Sequence, residues 1–168
     1  IMETAEAYQL CSARCRVEDA IERGSEYGNV LTTFGRYSQA MVVYKEVDDR
    51  VRQRYGEQHV RRATLLAAMS RTSRLMHAPV PAADYARRAI AIDEAVLSHS
   101  DYRRAMHMYF LALALADLGD VDEAIRVLEE SVRVARLARD SRHPDLAHQL
   151  NMLGMLLLQR RDYSAAVA

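Results

Sequence analysis

The sequence predicts an all-α chain, a superhelix (α-solenoid) of stacked antiparallel helix hairpins. Three observations predict it. The first is a spacing. Stepping by forty-two residues from Ala40 reaches Ala82, Ala124 and Ala166. Twelve residues before each stand Gly28, Ser70, Ala112 and Gly154, all small, and each follows a large apolar residue: Tyr27, Met69, Leu111 and Leu153. The second is that the intervening stretches carry helix start and stop residues and show no period-2 strand. The third is packing logic. Each forty-two-residue unit holds two helices that cannot bury their apolar faces alone, so units must stack.

The elements follow in order. Helices are expected near 3–15, 18–34, 37–54, 59–76, 82–98, 101–117, 121–139 and 144–159, with another beginning near 163. Gly24 and Gly28 leave open whether the first two are separate or merge. Residues 1–17 read as an N-terminal helix, the end of a preceding repeat. The array then runs over 18–168, in units of about 18–58, 59–100, 101–142 and 143–168, the last truncated. Asp101 suits a helix start, as does Pro144 behind Ser141. Gly56 separates a helix ending near Tyr55 from one starting near His59. Gly35 and Gly119 mark tight turns within the first and third units, and Pro79-Val80-Pro81 is expected to form the turn in the second. A small residue facing a small residue lets helix axes approach toward the short end of the ~8–10 Å range.

The segments LNMLG (150–154), LGDVDEA (118–124), FGRYSQA (34–40) and RRDYSAA (160–166) resemble tetratricopeptide repeats in their long-period, forty-two-residue form. That form is similar to the repeats of kinesin light chains and of many bacterial regulators. The connecting segments YGEQHV (55–60) and SRHPDL (141–146) resemble its inter-repeat linkers. The resemblance implies a right-handed superhelix of about three and a half to four units, covering roughly residues 18–168. HEAT and armadillo repeats have periods near 40–47 residues, but the glycine turns and paired small residues favour the tetratricopeptide form. Ser131, Arg160-Arg161 and the proline-rich second turn depart from its pattern.

Composition narrows the function. The chain has 168 residues, half of them apolar, with 23 acidic and 23 basic side chains. That balance argues against a nucleic-acid binder, and no apolar run approaches the ~20 residues of a spanning helix. Lys45 is the only lysine beside many arginines, a composition expected of a GC-rich, bacterial genome. Two cysteines, Cys11 and Cys15, make no secreted disulfide framework, so a cytoplasmic protein is expected. Small buried cysteines are the ordinary reading of that pair. His59 and His143 recur at one register position beside a helix start and read as caps. His99, His107 and His148 lack a partner at zinc-site spacing. No phosphate loop, nucleophile elbow or H-E-x-x-H motif appears, and the acidic pairs Asp48-Asp49 and Glu129-Glu130 read as solvated faces. No enzyme, cofactor or metal site is expected.

The resemblance implies an adaptor that holds a peptide or protein segment in a concave groove lined by the inner helix of each pair. The register places Ser25, Asn29 and Thr32 there, then Ala67, Arg71 and Arg74, then Tyr109, Leu113 and Ala116, then Asn151, Met155 and Leu158. Of these, Asn29, Arg71, Arg74, Tyr109, Leu113, Asn151 and Met155 are the candidate contacts. An acidic group is expected toward the two arginines and an apolar one toward Tyr109 and Met155. The dicarboxylate clamp of chaperone-binding relatives is not matched, since Ser25 and Ala68 stand where it needs Lys and Asn. A larger bacterial regulatory protein is the expected parent. The alternative is a sensor whose groove takes a small molecule or signalling peptide and switches an attached domain or self-associates. The final inner helix is expected to expose Leu153, Leu156 and Leu157, and with them a homodimer through the terminal helices.

Overall fold

The computed structural model describes residues 2–14, 16–138 and 144–160. Among them are eight helices: α1 (Met2–Arg14), α2 (Val17–Thr33), α3 (Tyr37–Tyr55), α4 (Val60–Leu75), α5 (Pro79–Val96), α6 (Tyr102–Asp117), α7 (Val121–Leu137) and α8 (Pro144–Gln159). The described residues contain no strand. α2–α3, α4–α5 and α6–α7 are hairpins, each packing on the next, and α8 packs on the third. The helix expected near 163 and the last anchoring alanine, Ala166, lie outside the described residues. α1 and α2 are separate, divided at Arg16, whose backbone is extended (φ −61°, ψ 151°). Gly24 and Gly28 sit inside α2 and do not break it.

Local chemistry sets the ends of these helices. His59 and Asp101 stand forty-two residues apart and do the same work. The His59 Nδ1 accepts from the Arg61 N–H at 3.2 Å, and the Asp101 carboxylate accepts from the Arg103 N–H at 2.9 Å. Each satisfies a donor that the first helical turn leaves without a partner. The Arg103 guanidinium, hydrogen-bonded to Asp101, holds that carboxyl below its usual range. The within-unit turns share one geometry. Gly35, His77 and Gly119, again at forty-two-residue steps, have φ of 73°, 56° and 84°. In each turn the next residue's N–H reaches back five positions, to Leu31, Ser73 and Leu115, the pairing of a Schellman cap.

The second turn corrects the sequence reading. Pro79-Val80-Pro81 is not the turn: α5 begins at Pro79, three residues earlier than expected, and both prolines lie in its first turn. No intrahelical partner exists for those N–H groups, so proline removes nothing there. The turn is Met76–Ala78, with His77 in the left-handed position that glycine takes in the neighbouring units.

The forty-two-residue positions are the core. Ala40, Ala82 and Ala124 are all fully buried. Four residues on, Tyr44, Ala86 and Leu128 are also at 0% exposure, each sixteen residues after Gly28, Ser70 and Ala112. In the first unit the fit is tight enough to exclude a methyl group. A Cβ on Gly28 would lie 2.3 Å from the Tyr44 ring. α1 is tied in by Tyr8, buried against α2, whose hydroxyl donates to Glu46 of α3 at 2.7 Å. Burial, then the Glu46 carboxylate, pushes that phenol up to about 12. At the far end, Leu156 and Leu157 are buried with the α6–α7 core and Leu153 is partly so. The expectation that they lie exposed is corrected: they are the fourth unit's share of the stacking interface.

The junctions between units are less uniform. Asp93 on α5 and His107 on α6 form a buried pair, Nδ1 to Oδ2 at 2.6 Å, with Asp93 at 0% exposure. One unit earlier these register positions hold Val51 and Leu65, both buried; one unit later they hold Ala135 and Gln149, also buried. Arg62 and Arg104, likewise one unit apart, clamp the junction ends. Arg62 bonds Asp48 at 2.9 Å and Glu57, and Arg104 reaches Glu94 at 3.3 Å and His99 at 3.0 Å.

Three expected outcomes follow from this packing. Gly28→Ala should cost about 2 kcal/mol or more by overpacking; adding Tyr44→Leu, which copies the Ala112 and Leu128 combination, should recover part of that loss in chemical denaturation. Asp93→Ala strands a buried imidazole and should cost about 3 kcal/mol, whereas the double change Asp93→Val, His107→Leu should stay within about 1 kcal/mol of the parent. His77→Gly relieves a left-handed non-glycine residue, so it should stabilise by about 0.5–1 kcal/mol and raise Tm by roughly 2 °C.

Candidate functional site

The inner helices α2, α4, α6 and α8 lie side by side and form one wall of the stack. Their forty-two-residue register gives parallel rows of side chains: Ser25, Ala67, Tyr109 and Asn151 in one, and Asn29, Arg71, Leu113 and Met155 in the next. The geometry sorts the sequence-predicted residues unequally. Asn29 is exposed, and its Oδ1 accepts from the Tyr44 hydroxyl at 2.9 Å and from Arg71 at 3.2 Å. Asn29 and Arg71 therefore meet across the first junction. Tyr44 reaches this point from the outer helix because Gly28 leaves its ring a path across the surface of α2.

Other predicted residues are committed elsewhere. Arg74 is partly buried and pairs with Asp117 of α6 at 2.6 Å, which neutralises most of its pull on an incoming acid. Thr32 turns into the core at 4% exposure and shares hydrogen bonds with Thr72 at 3.0 Å and Tyr44 at 3.3 Å. Ala67 and Leu113 are buried at 3% and 8%; they floor the wall more than they face out from it. Tyr109 is half-buried with its ring 5.9 Å from Phe110. Asn151 and Met155 touch, Nδ2 to Sδ at 3.9 Å, and Met155 is 57% exposed.

Between α2 and α4 the wall dips into a hollow of about 300 Å³. Ser25, Asn29 and Ala68 line it, with Tyr44 at its base and Glu22, Glu26 and Arg61 at its rim. Sequence reasoning passed over those three charged residues. The signal was present: Glu22 and Glu26 each stand three residues before a groove-facing position, Ser25 and Asn29, and so share its helix face. The same register leads from Glu22 to Thr64, Met106 and His148, and from Glu26 to Ala68, Phe110 and Met152. The wall thus grades from acidic at α2, through small residues at α4, to aromatic and aliphatic ones at α6 and α8. A second hollow of about 530 Å³ lies at the turn edge, lined by Tyr37, Leu75, His77 and Pro79 beside the Arg74–Asp117 pair.

The remaining candidates resolve simply. His59 is a helix cap, His99 lies beside Arg104, and His107 has a carboxylate partner fourteen residues back, too distant in sequence to be read as a motif. His143 and Cys15 lie outside the described residues, and Cys11 is buried at 2% exposure. Among the described residues no three His, Cys, Asp or Glu side chains gather as a metal site. No described helix is long and apolar enough to cross a membrane.

Comparison with known proteins agrees with this architecture. A tetratricopeptide repeat family model matches residues 103–168. No curated protein sequence matches the chain. Among solved structures it is similar to BtubC (BKLC) from P. vanneervenii, with a TM-score of 0.81 at 16% identity, over 91% of this chain and 61% of that one. A candidate kinesin light chain of Podosopora anserina with nearly identical TPR-like repeats superposes with a TM-score of 0.79 at 19% identity, over 88% of this chain and 70% of that one. MamA from Desulfovibrio magneticus RS-1 gives 0.64 at 16% identity, over 99% and 88%. The chain spans about three fifths of the length of the first of these. At such identities the likeness is one of fold. Residues 103–168 carry the tetratricopeptide repeat family pattern, and the described helices that precede them share the fold of these repeat structures.

Proposed function

We propose that the chain is a non-catalytic interaction module that holds a peptide or protein segment along the wall formed by α2, α4, α6 and α8, as part of a larger bacterial regulatory protein. Tetratricopeptide folds commonly mediate protein–protein contact, and one observation carries the reading to this surface. The hollow between α2 and α4 is continuous in register with a strip of Tyr109, Phe110, Met152 and Met155 that stays partly or largely exposed. A folded chain gains nothing by leaving aromatic and methionine side chains in water along one face. Such surfaces are where partner side chains are desolvated. Asn29, Arg71 and Asn151 supply polar contacts beside the strip. Tyr109, Leu113 and Met155 supply the apolar ones.

The test is a capture experiment from lysate of the source organism with the immobilised chain beside an Ala68→Gln, Tyr109→Ala variant. Glutamine at 68 fills the hollow without adding charge, and alanine at 109 removes the aromatic wall. A protein retained by the parent and reduced at least tenfold with the variant is the expected result. Identical lists from the two would overturn the groove. Thermal-shift screening with small ligands then tests the sensor alternative: stabilisation accompanied by a change in sedimentation is its signature.

A further inference from the structure

We infer that the occupant of this groove is a segment with a cationic end and an apolar end, seated with its cation at α2 and its apolar side chains at α6. The inference rests on the groove reading above and adds the sign and the direction of the partner. It begins from what the inner wall leaves uncompensated. Glu22 and Glu26 rim the hollow, and neither forms an ion pair among the described residues. Two smaller hollows adjoin it on α1 and α2, and among the described residues they gather Glu3, Asp19, Glu22 and Glu26 around one cation, Arg23. The positive groups nearby are partly committed. Arg71 donates to Asn29, Arg74 pairs with Asp117, and Arg61, on the rim of the hollow itself, has its guanidinium 5.9 Å from the Tyr55 ring centroid. Elsewhere in the chain, exposed carboxylates such as Glu18 and Glu130 find an arginine. Uncompensated carboxylates lining a concave surface focus a negative potential into it, and the complementary charge then has to come from the partner.

The other end has the opposite character. At α6 the corresponding positions are Met106 and Phe110, and the neighbouring row brings Tyr109 and Leu113. Between the ends, Thr64 and Ala68 keep the path low. Two inner-helix steps separate α2 from α6, roughly 20 Å at ordinary helix spacing. An extended segment covers that in about six residues. The fitting ligand therefore carries Lys or Arg about six residues from a Leu, Met or Phe, with small residues between. This reverses the sense of charge that Arg71 and Arg74 suggest when read from the sequence without their partners.

The test uses the full 168-residue chain and three labelled twelve-residue peptides, read by fluorescence anisotropy at low and moderate salt. One carries Arg-Arg and Leu-Phe separated by small residues; the second replaces Arg-Arg with Glu-Glu; the third replaces it with Ser-Ser. The basic peptide is expected to bind at least tenfold tighter than the acidic one, with an advantage that shrinks as salt rises. Glu22→Lys, Glu26→Lys should reverse that order, and Tyr109→Ala should weaken all three alike; both variants are first checked for parental thermal unfolding. If the acidic or neutral peptide binds as well as the basic one, or the charge reversal leaves the order unchanged, the polarity is wrong while the groove stands. If none of the three binds, the groove reading falls with it.

Discussion

Everything in this molecule depends on how closely α2, α4 and α6 approach their outer partners. That approach is set by a single pair of register positions per unit. Gly28 faces Tyr44, and the same positions hold Ser70 with Ala86 and Ala112 with Leu128. The side chains differ in each unit, yet the inner-helix residue is always small and both members are always buried. Interiors are packed to crystal-like density, so such a substitution on one side must be answered on the other. The first unit shows the limit, where a glycine is required because a tyrosine ring lies where its Cβ would be. From that contact the ring runs across the inner helix and delivers its hydroxyl to Asn29. A packing constraint and a feature of the groove are thus the same interaction.

Stacking the units raises a second problem, which the chain solves differently at each junction. The first junction is apolar, with Val51 and Leu65. The second buries a carboxylate against an imidazole, and the third uses Ala135 and Gln149. A buried, hydrogen-bonded polar pair contributes little net stability, because desolvation offsets most of the attraction, but neither partner tolerates an apolar neighbour in place of the other. The second junction is therefore matched only to itself. That is a physical reason for the repeats to stack in one order and register, where interchangeable apolar seams would allow slippage.

The groove inherits its character from this arrangement. Inner-helix positions that must be small or apolar for packing alternate with positions free to vary, and the free ones carry Glu22 and Glu26 at one end and Phe110, Met152 and Met155 at the other. Leu113 and Ala67 show how the two demands overlap: both lie on groove rows, yet burial makes them the floor of the wall. Arg74 shows a different overlap. Its charge is spent on Asp117 of the next inner helix, so it joins two units more than it offers a contact.

The fold class, the period, the helix order and the caps at His59 and Asp101 were legible in the sequence, because each rests on spacing along a single chain. Helix periodicity, a cap and a forty-two-residue step are local or strictly periodic, and counting finds them. The proline turn was misread for a local reason: proline is equally at home in a turn and in a helix's first turn, and only the left-handed backbone of His77 decides which. The tertiary structure alone decided the rest. It paired Asp93 with His107 and Arg74 with Asp117, turned Thr32 inward, and left Glu22 and Glu26 without an ion pair among the described residues at the rim of a hollow. Each of those outcomes depends on which side chain from a different helix arrives within about 3 Å, a distance that no spacing along the chain encodes.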